Sequence, residues 1–248
     1  IVSDEEISNA AEISLKYEIS PSYNTEALRS TIAYVTYSET FLYVGIKAQR
    51  DKIISNIINR DDWAMYNGDA ISIELDTYGD ARNQIFLVAN PSGSLLDAIR
   101  LDGRGYSGSD YNLKKSANFD FNAKGSIKDG GFDLEFIIPF SEIPFPNGKD
   151  QKWNINIRSR NFEERVAITT SSSKANREAT CQLCLMDHEI LFKDIVIEKK
   201  LEFLPYISGN LSGEKKLYNE ALKLNNQNFD YGLGLSLIHI SEPTRRYE

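Results

Sequence analysis

Three sets of side chains in this chain have types and spacings suited to chemistry. The first is an aromatic and acidic loop, Arg60-Asp61-Asp62-Trp63, with Tyr66 three residues further on. Exposed rings beside carboxylates suit stacking on the apolar face of a pyranose while polar neighbours take its hydroxyls. The competing reading is that Trp63 packs over the end of the fold. The second set is a polar strand face, Asn154, Asn156, Arg158 and Arg160. Its amides and guanidinium forks could line a groove for a carbohydrate or an acid group, or could simply face solvent. The third set is oxygen-rich: Asp61, Asp62, Asp69, Asp76, Asp80 and Asp97 fall in loops next to strands. Calcium takes about six to eight oxygen ligands, which makes Asp76 and Asp80 the candidate pair for a structural calcium ion. Solvated turn carboxylates and strand-end caps are the alternative, since no spacing matches a helix–loop–helix calcium site.

Weaker constellations point elsewhere. Paired carboxylates can hydrolyse glycosides when one acid and one base or nucleophile share a cleft, and Glu74 with Asp97 is the pair that could do so. Cys181 and Cys184 form a CxxC, readable as a redox pair, half a zinc site or two incidental thiols. The last is preferred, because only His188 lies near as a further soft ligand and the flanking residues lack a strand–CxxC–helix context. The second histidine is His239, which leaves little material for a Ser-His-Asp or Cys-His site.

The elements that must position these groups are strands. The chain has 248 residues, enough for one large β domain or two small domains. Thirteen Tyr and twelve Phe against two Met fit strands better than helices. Net charge is −8, which excludes a nucleic-acid partner as a leading reading because phosphate binding needs a basic face. No unbroken apolar run is long enough for a transmembrane helix.

Alternation of period two marks the strands one by one. Thr31 to Ala48 reads as an antiparallel hairpin turning at Ser38-Glu39-Thr40. Ile71, Ile73 and Leu75 oppose Ser72, Glu74 and Asp76, with a turn at Asp76 to Asp80. Strands follow at Gln84 to Ala89, Ser94 to Ile99, Asp120 to Ser126, Phe132 to Ile138, Trp153 to Arg160, Val166 to Thr170, Phe192 to Glu198 and Leu201 to Ser208. Helical spacing predicts a short helix from Ser3 to about Glu12 and one or two turns over Asp51 to Asn59. Gly103 to Asp110 reads as a loop, and Asn210 to Asn228 as weak helix or loop. Around a dozen short strands with turns between them predict an all-β fold, a sandwich or a barrel, of which an antiparallel β-sandwich of jelly-roll type is preferred.

Several of these segments, taken in order, resemble the family 9 carbohydrate-binding module. They are Thr31 to Tyr37 with Phe41 to Ile46; Gly68-Asp-Ala-Ile-Ser-Ile-Glu-Leu-Asp76; Phe86 to Gly93; Gly131 to Phe140; and Trp153-Asn-Ile-Asn-Ile157. The resemblance spans about residues 20 to 209. It is nearest to the variant at the N-terminus of bacterial outer-membrane barrel proteins of the domain-of-unknown-function type. Leu201-Glu-Phe-Leu-Pro-Tyr-Ile-Ser208 is similar to the opening of that barrel. The resemblance implies a non-catalytic, sugar-binding sandwich in the bacterial cell envelope, in the periplasm or at the surface. It implies an outer-membrane barrel as its own C-terminal partner.

Carried over by position, the family's aromatic falls on Tyr66 and its shared Asp on Asp69. Ser72 stands where a Glu would bond the sugar, and Leu87 where an Arg is expected. The stretch from Ala167 to Asp187 holds no second ring. The expected ligand-binding set is thus Trp63 and Tyr66 for stacking, with Asp69, Ser72 and Arg158 for hydrogen bonding. The alternative is a structural or interaction domain that caps or gates the barrel without binding sugar.

The expected organisation is a sandwich over residues 1–200, the start of a barrel over 201–234, and a tail over 235–248. Leu235 to Arg245 reads as the in-frame translation of a sequencing adapter, so the tail is kept apart from the fold. The chain begins at Ile1 without Met or a signal peptide, which leaves the compartment unreadable from that end.

Overall fold

The computed structural model describes residues 9–101, 113–196, 200–218 and 221–240; within the last two stretches the side chains of 205–213 and 228–234 are described. The described residues form two units, one ending at residue 197 and one beginning at 198.

The first unit is built from β1 (Ala11–Ser14), β2 (Tyr17–Ser20), β3 (Thr25–Glu26), β4 (Thr31–Tyr37), β5 (Phe41–Gln49), β6 (Ala70–Asp76), β7 (Asn83–Ala89), β8 (Leu95–Leu101), β9 (Leu113–Lys114), β10 (Asn122–Lys128), β11 (Gly131–Pro139), β12 (Gln151–Glu163), β13 (Val166–Ser171) and β14 (His188–Phe192). Two antiparallel sheets result. Sheet I has the order β1-β4-β5-β11-β10, and sheet II the order β3-β2-β13-β12-β6-β7-β8-β9. The long β12 pairs with β6 along one edge, while β14 and β13 share its other edge at Gln151–Ile155 and Arg158–Glu163.

Alternation decides what the sandwich buries. Ala33, Val35, Leu42, Val44, Ile46, Leu134 and Phe136 from sheet I meet Ile71, Ile73, Leu75, Leu87, Trp153, Ile155 and Ile157 from sheet II in one apolar core. Trp153 is fully buried and packs edge-on against Phe192 and Phe140, with ring centroids 4.7 and 5.8 Å away. The antiparallel sandwich read from the sequence is therefore the observed architecture. Sheet II also buries much of its outer face. Ala70, Phe86, Val88, Leu96 and Ala98 form a second cluster there with Met65, flanked by Trp63, Tyr66 and Leu113.

The second unit is a hairpin of β15 (Lys200–Tyr218) and β16 (Ala221–Ile240). Residues 235–240 of the tail continue β16 and pair with 200–205.

Four expectations about local structure are corrected. Ala11 and Glu12 are strand, paired with Val35 and Tyr34, and not helix; residues 1–8 lie outside the described residues. Asp51 to Asn59 is not helical. The amides of Ile54 and Ile58 donate to the Asp69 carboxylate and Ser94 hydroxyl, and the Asn56 carbonyl accepts from Asn90. Side chains of sheet II thus take the backbone groups that a helix would have paired internally. Gly68 lies so close to the Ile54 carbonyl that a Cβ there would collide with it. Residues 210–218 and 221–228 are strand rather than helix or loop. The strand expected at Phe192 to Glu198 instead runs His188–Phe192. The loop at Gly103 to Asp110 and the boundary at Lys199 lie outside the described residues.

Candidate functional site

The outer face of sheet II carries a cleft of about 390 Å³, within the range of small-ligand sites. Its floor is made by alternate residues of four adjacent strands. Ala70, Ser72 and Glu74 come from β6, Phe86 from β7, Arg100 from β8, and Arg158 and Arg160 from β12. Strand pairing sets them side by side: Glu74 lies opposite Phe86 and Asn156, and Arg158 opposite Ser72.

One wall is aromatic. Trp63 and Tyr66 sit on a single 3₁₀ turn, Trp63–Asn67, capped by Asp62, whose carboxylate accepts from the Ala64 amide at 2.9 Å. The two rings stack at 5.7 Å, and Trp63 lies nearly parallel to Phe86 at 6.5 Å. The Lys115 ammonium stands 4.2 Å from the centroid of Trp63. The turn is fixed to the floor by Arg160, whose Nε donates to the Tyr66 carbonyl at 2.9 Å. The Trp63 ring packs on the sheet and also lines the cleft.

Glu74 is the centre of the site. Its side chain is fully buried, and its two oxygens are shared by four donors. Oε1 takes Arg158 at 3.1 Å and Arg100 at 3.3 Å; Oε2 takes Asn156 at 2.8 Å and Gln84 at 3.2 Å. Burial alone would raise its pKa, but Arg158, Arg100 and the Asn156 amide outweigh it and hold the carboxyl below its ordinary value. The donors are themselves positioned. Gln84 Oε1 accepts from Arg100 at 2.7 Å, and Asn156 Oδ1 accepts from the hydroxyls of Ser171 and Ser172 and the amide of Ser173. Arg100 also lies over the Phe86 ring at 4.8 Å.

Tyr66 holds the least satisfied group. Its hydroxyl is buried and has no hydrogen-bond partner among the described residues. Burial pushes its pKa up, Glu74 adds to this, and the three arginines oppose it. An unpaired buried hydroxyl costs roughly 1–3 kcal/mol.

Of the residues expected to bind, Trp63, Tyr66, Ser72 and Arg158 line this cleft. Asp69 does not. It lies behind the sheet, where Oδ2 accepts from the Ile54 amide at 2.7 Å and Oδ1 faces Arg50 Nε at 3.4 Å. The parity of β6 explains the correction, since odd positions face the core and even positions face the cleft.

The expected calcium pair does not fit its ion. Both Asp76 oxygens accept from backbone amides, those of Tyr78, Gly79 and Ala81, and Asp80 accepts from Arg82. N–H donors aimed at a carboxylate are a turn cap, not a cation shell. Among the described residues no three acidic, His or Cys side chains converge on one point. Glu74 and Asp97 do not share a cleft: Asp97 pairs across from Leu87 on the core side of sheet II and binds Arg60 at 2.8 Å. Cys181 and Cys184 are joined as a disulfide, so they are not two independent thiols.

Sequence reasoning missed Arg100 as a site residue and Glu74 as an organiser of binding. Their signal was a charged residue at a cleft-facing position in strands whose other outward residues are small or apolar.

No family model and no curated protein matches this chain. Solved structures do match in fold. A family 9 carbohydrate-binding module of Caldicellulosiruptor kristjanssonii in complex with cellotriose is 14% identical, with a TM-score of 0.54 over 78% of this chain and 87% of that one. A structure of such a module from the same organism with glucose is 13% identical, with a TM-score of 0.52 over 75% and 86%. A Bacteroides uniformis protein shares the fold at 11% identity and a TM-score of 0.56, over 75% and 88%. These likenesses establish a sandwich of the family 9 type.

Proposed function

We propose that the first unit is a non-catalytic carbohydrate-binding domain of a cell-envelope protein and that its glycan lies in the cleft on the outer face of sheet II. The cleft carries the reading. It joins a ring wall, Trp63 and Tyr66, to guanidinium donors held in fixed directions by Glu74. Rings offer the apolar face of a sugar a surface, and pre-aimed donors take its oxygens without ordering cost. The fold is shared with modules solved with cellotriose and glucose, which supports the same ligand class here.

Hydrolysis has little support. It needs two carboxyl groups about 5–10 Å apart across the bond. Among the described residues that line the cleft, Glu74 is the single carboxylate, and four donors already occupy it. The test is a glycan array probed with the full chain. Saturable binding is expected, weakened roughly ten-fold or more by Trp63→Ala. Silence on every glycan would sink the proposal.

The hairpin supports an envelope setting. Ile207, Leu211, Phe229, Tyr231 and Leu233 are exposed on one face, and Ser208, Asn210, Asp230 and Gly232 lie on the other. Apolar residues on one face and small or polar ones on the other is the pattern of strands between lipid and a barrel lumen. These residues precede the tail at 235, so the reading does not depend on it. We infer that an outer-membrane barrel is the partner of the sandwich within its own chain, and that glycan binding serves recognition or uptake there. Fractionation of the complete gene product checks this. Recovery in the outer membrane is expected, and recovery in the soluble fraction alone would refute it. The hairpin also favours a second reading, in which the sandwich contacts the barrel as a structural or gating domain. That reading predicts a stable contact between sandwich and barrel with no response on the array.

A further inference from the structure

We propose that the cleft selects acidic glycans, with a sugar carboxylate or sulfate seated against Arg100 and Arg158; this rests on the carbohydrate-binding reading and narrows it. The first ground is charge. The cleft is lined by Arg100, Arg158 and Arg160 against one acid, Glu74, although the chain as a whole carries −8. An excess of cations in a partly desolvated pocket, on a protein of the opposite sign, is a local feature that an anionic ligand would neutralise.

The second ground is hydrogen-bond balance. A neutral pyranose brings hydroxyls that must donate as well as accept, so its site needs acceptors. Here the principal acceptor is consumed, because Glu74 takes Arg158 and Arg100 on one oxygen and Asn156 and Gln84 on the other. The Asn156 carbonyl is likewise filled by Ser171, Ser172 and Ser173. What the cleft offers is donors. The Arg100 and Arg158 side chains are held by Glu74 yet stay 25% and 34% exposed. A carboxylate or sulfate only accepts, and a guanidinium fork matches it in two places.

The third ground is rigidity. The arginines are held from behind: Arg100 by Glu74 and Gln84 and by the Phe86 ring, Arg158 by Glu74. Their heads are therefore aimed before the ligand arrives, which lowers the ordering cost of binding.

Calorimetric titration of the full chain with four oligosaccharides tests the inference: trigalacturonate, its methyl ester, a sulfated galactan oligosaccharide and cellotriose. At least one acid-bearing ligand should bind roughly ten-fold or more tightly than both the ester and cellotriose. Its affinity should fall as salt rises from about 50 to about 500 mM, while that of a neutral ligand should not. Comparing the carboxylate and sulfate arms identifies which acid group is read. Arg100→Gln should lower acid binding roughly ten-fold or more and lower ester binding by much less, which narrows the gap between the two ligands; an equal loss for both would mean that Arg100 does not read the acid group. If cellotriose or the ester binds as well as the acids, selectivity for acid is wrong and sugar binding stands. If none of the four binds and the glycan array is also silent, the carbohydrate reading fails with it. If none binds while the array reports neutral glycans, only the acidic preference is overturned.

Discussion

Two acid–arginine pairs sit on opposite faces of the same sheet, at Asp69 and Glu74, and they do different work. Asp69 pairs with Arg50 between the sheets. Both side chains are almost completely buried, at 0% and 3% exposure, and Arg50 is further tied to the Thr31 hydroxyl, the Gln49 carbonyl and Ser159. The pair bonds the strap at Ile54 to the start of β6 and bridges the two sheets. Glu74 also is fully buried, yet its arginines reach the cleft and remain partly exposed. The first pair has its charges enclosed on every side, so it can only hold structure. The second has its acid enclosed and its bases presented to the cleft. The functional difference lies in the exposure of the cation, not in the identity of the pair.

The comparison breaks most visibly at Arg50. Arg50→Met would leave the Asp69 carboxylate enclosed without a counter-charge, and removing one member of a buried pair costs about 3–5 kcal/mol. A fall of that size in the unfolding free energy is expected from denaturant titration, with ligand affinity of the folded fraction unchanged. A loss under about 1 kcal/mol would mean that water reaches Asp69, and the distinction drawn above would fail. Glu74→Gln should cost less, about 1–3 kcal/mol, because the arginines it would release can turn to solvent. Its larger effect should be on binding, since the guanidinium heads would lose their shared anchor. Equal stability losses at the two sites would erase the contrast.

Much of this arrangement was legible in the sequence. Period-two alternation assigned Trp153, Ile155 and Ile157 to the core and Asn156, Arg158 and Arg160 to a polar face, and both assignments stand. The same rule, applied to β6, would have separated Asp69 from Ser72 and Glu74. The motif resemblance instead placed Asp69 among the ligand-binding residues. What alternation cannot reveal is which strands are neighbours. Glu74 meets Asn156 across 82 residues and Arg100 across 26; the first meeting depends on β12 crossing back to pair with β6, and the second on β7 and β8 following β6 in the sheet. The departures at Ser72 and Leu87 look different once that pairing is known. An acid stands one pleat further along β6, at Glu74, and a guanidinium stands on β8, at Arg100, but the acid is engaged by four donors and not open to a ligand. The segment 51–59 was misread for a related reason: its partners, Asp69, Asn90 and Ser94, are distant in sequence, and no local pattern announces them.

The finest discrimination between the two acids is the sign of their coupling to pH. Burial raises the Asp69 carboxyl above its ordinary value against the opposing Ile54 amide and Arg50, whereas at Glu74 the arginines prevail and the carboxyl is lowered. A raised folded pKa means that the native state holds the proton more tightly than the unfolded chain. The Asp69 contribution is then complete below the unfolded pKa and is lost as pH rises through the folded value. A lowered folded pKa gives the reverse: the Glu74 contribution is complete above the unfolded pKa and is lost as pH falls through the folded value. Stability measured against pH for wild type, Asp69→Asn and Glu74→Gln separates the two. The advantage of wild type over Glu74→Gln should shrink on acidification, and its advantage over Asp69→Asn should grow. Curves that move in the same direction would show that burial and the arginines balance alike at the two acids, and the contrast between them would fail.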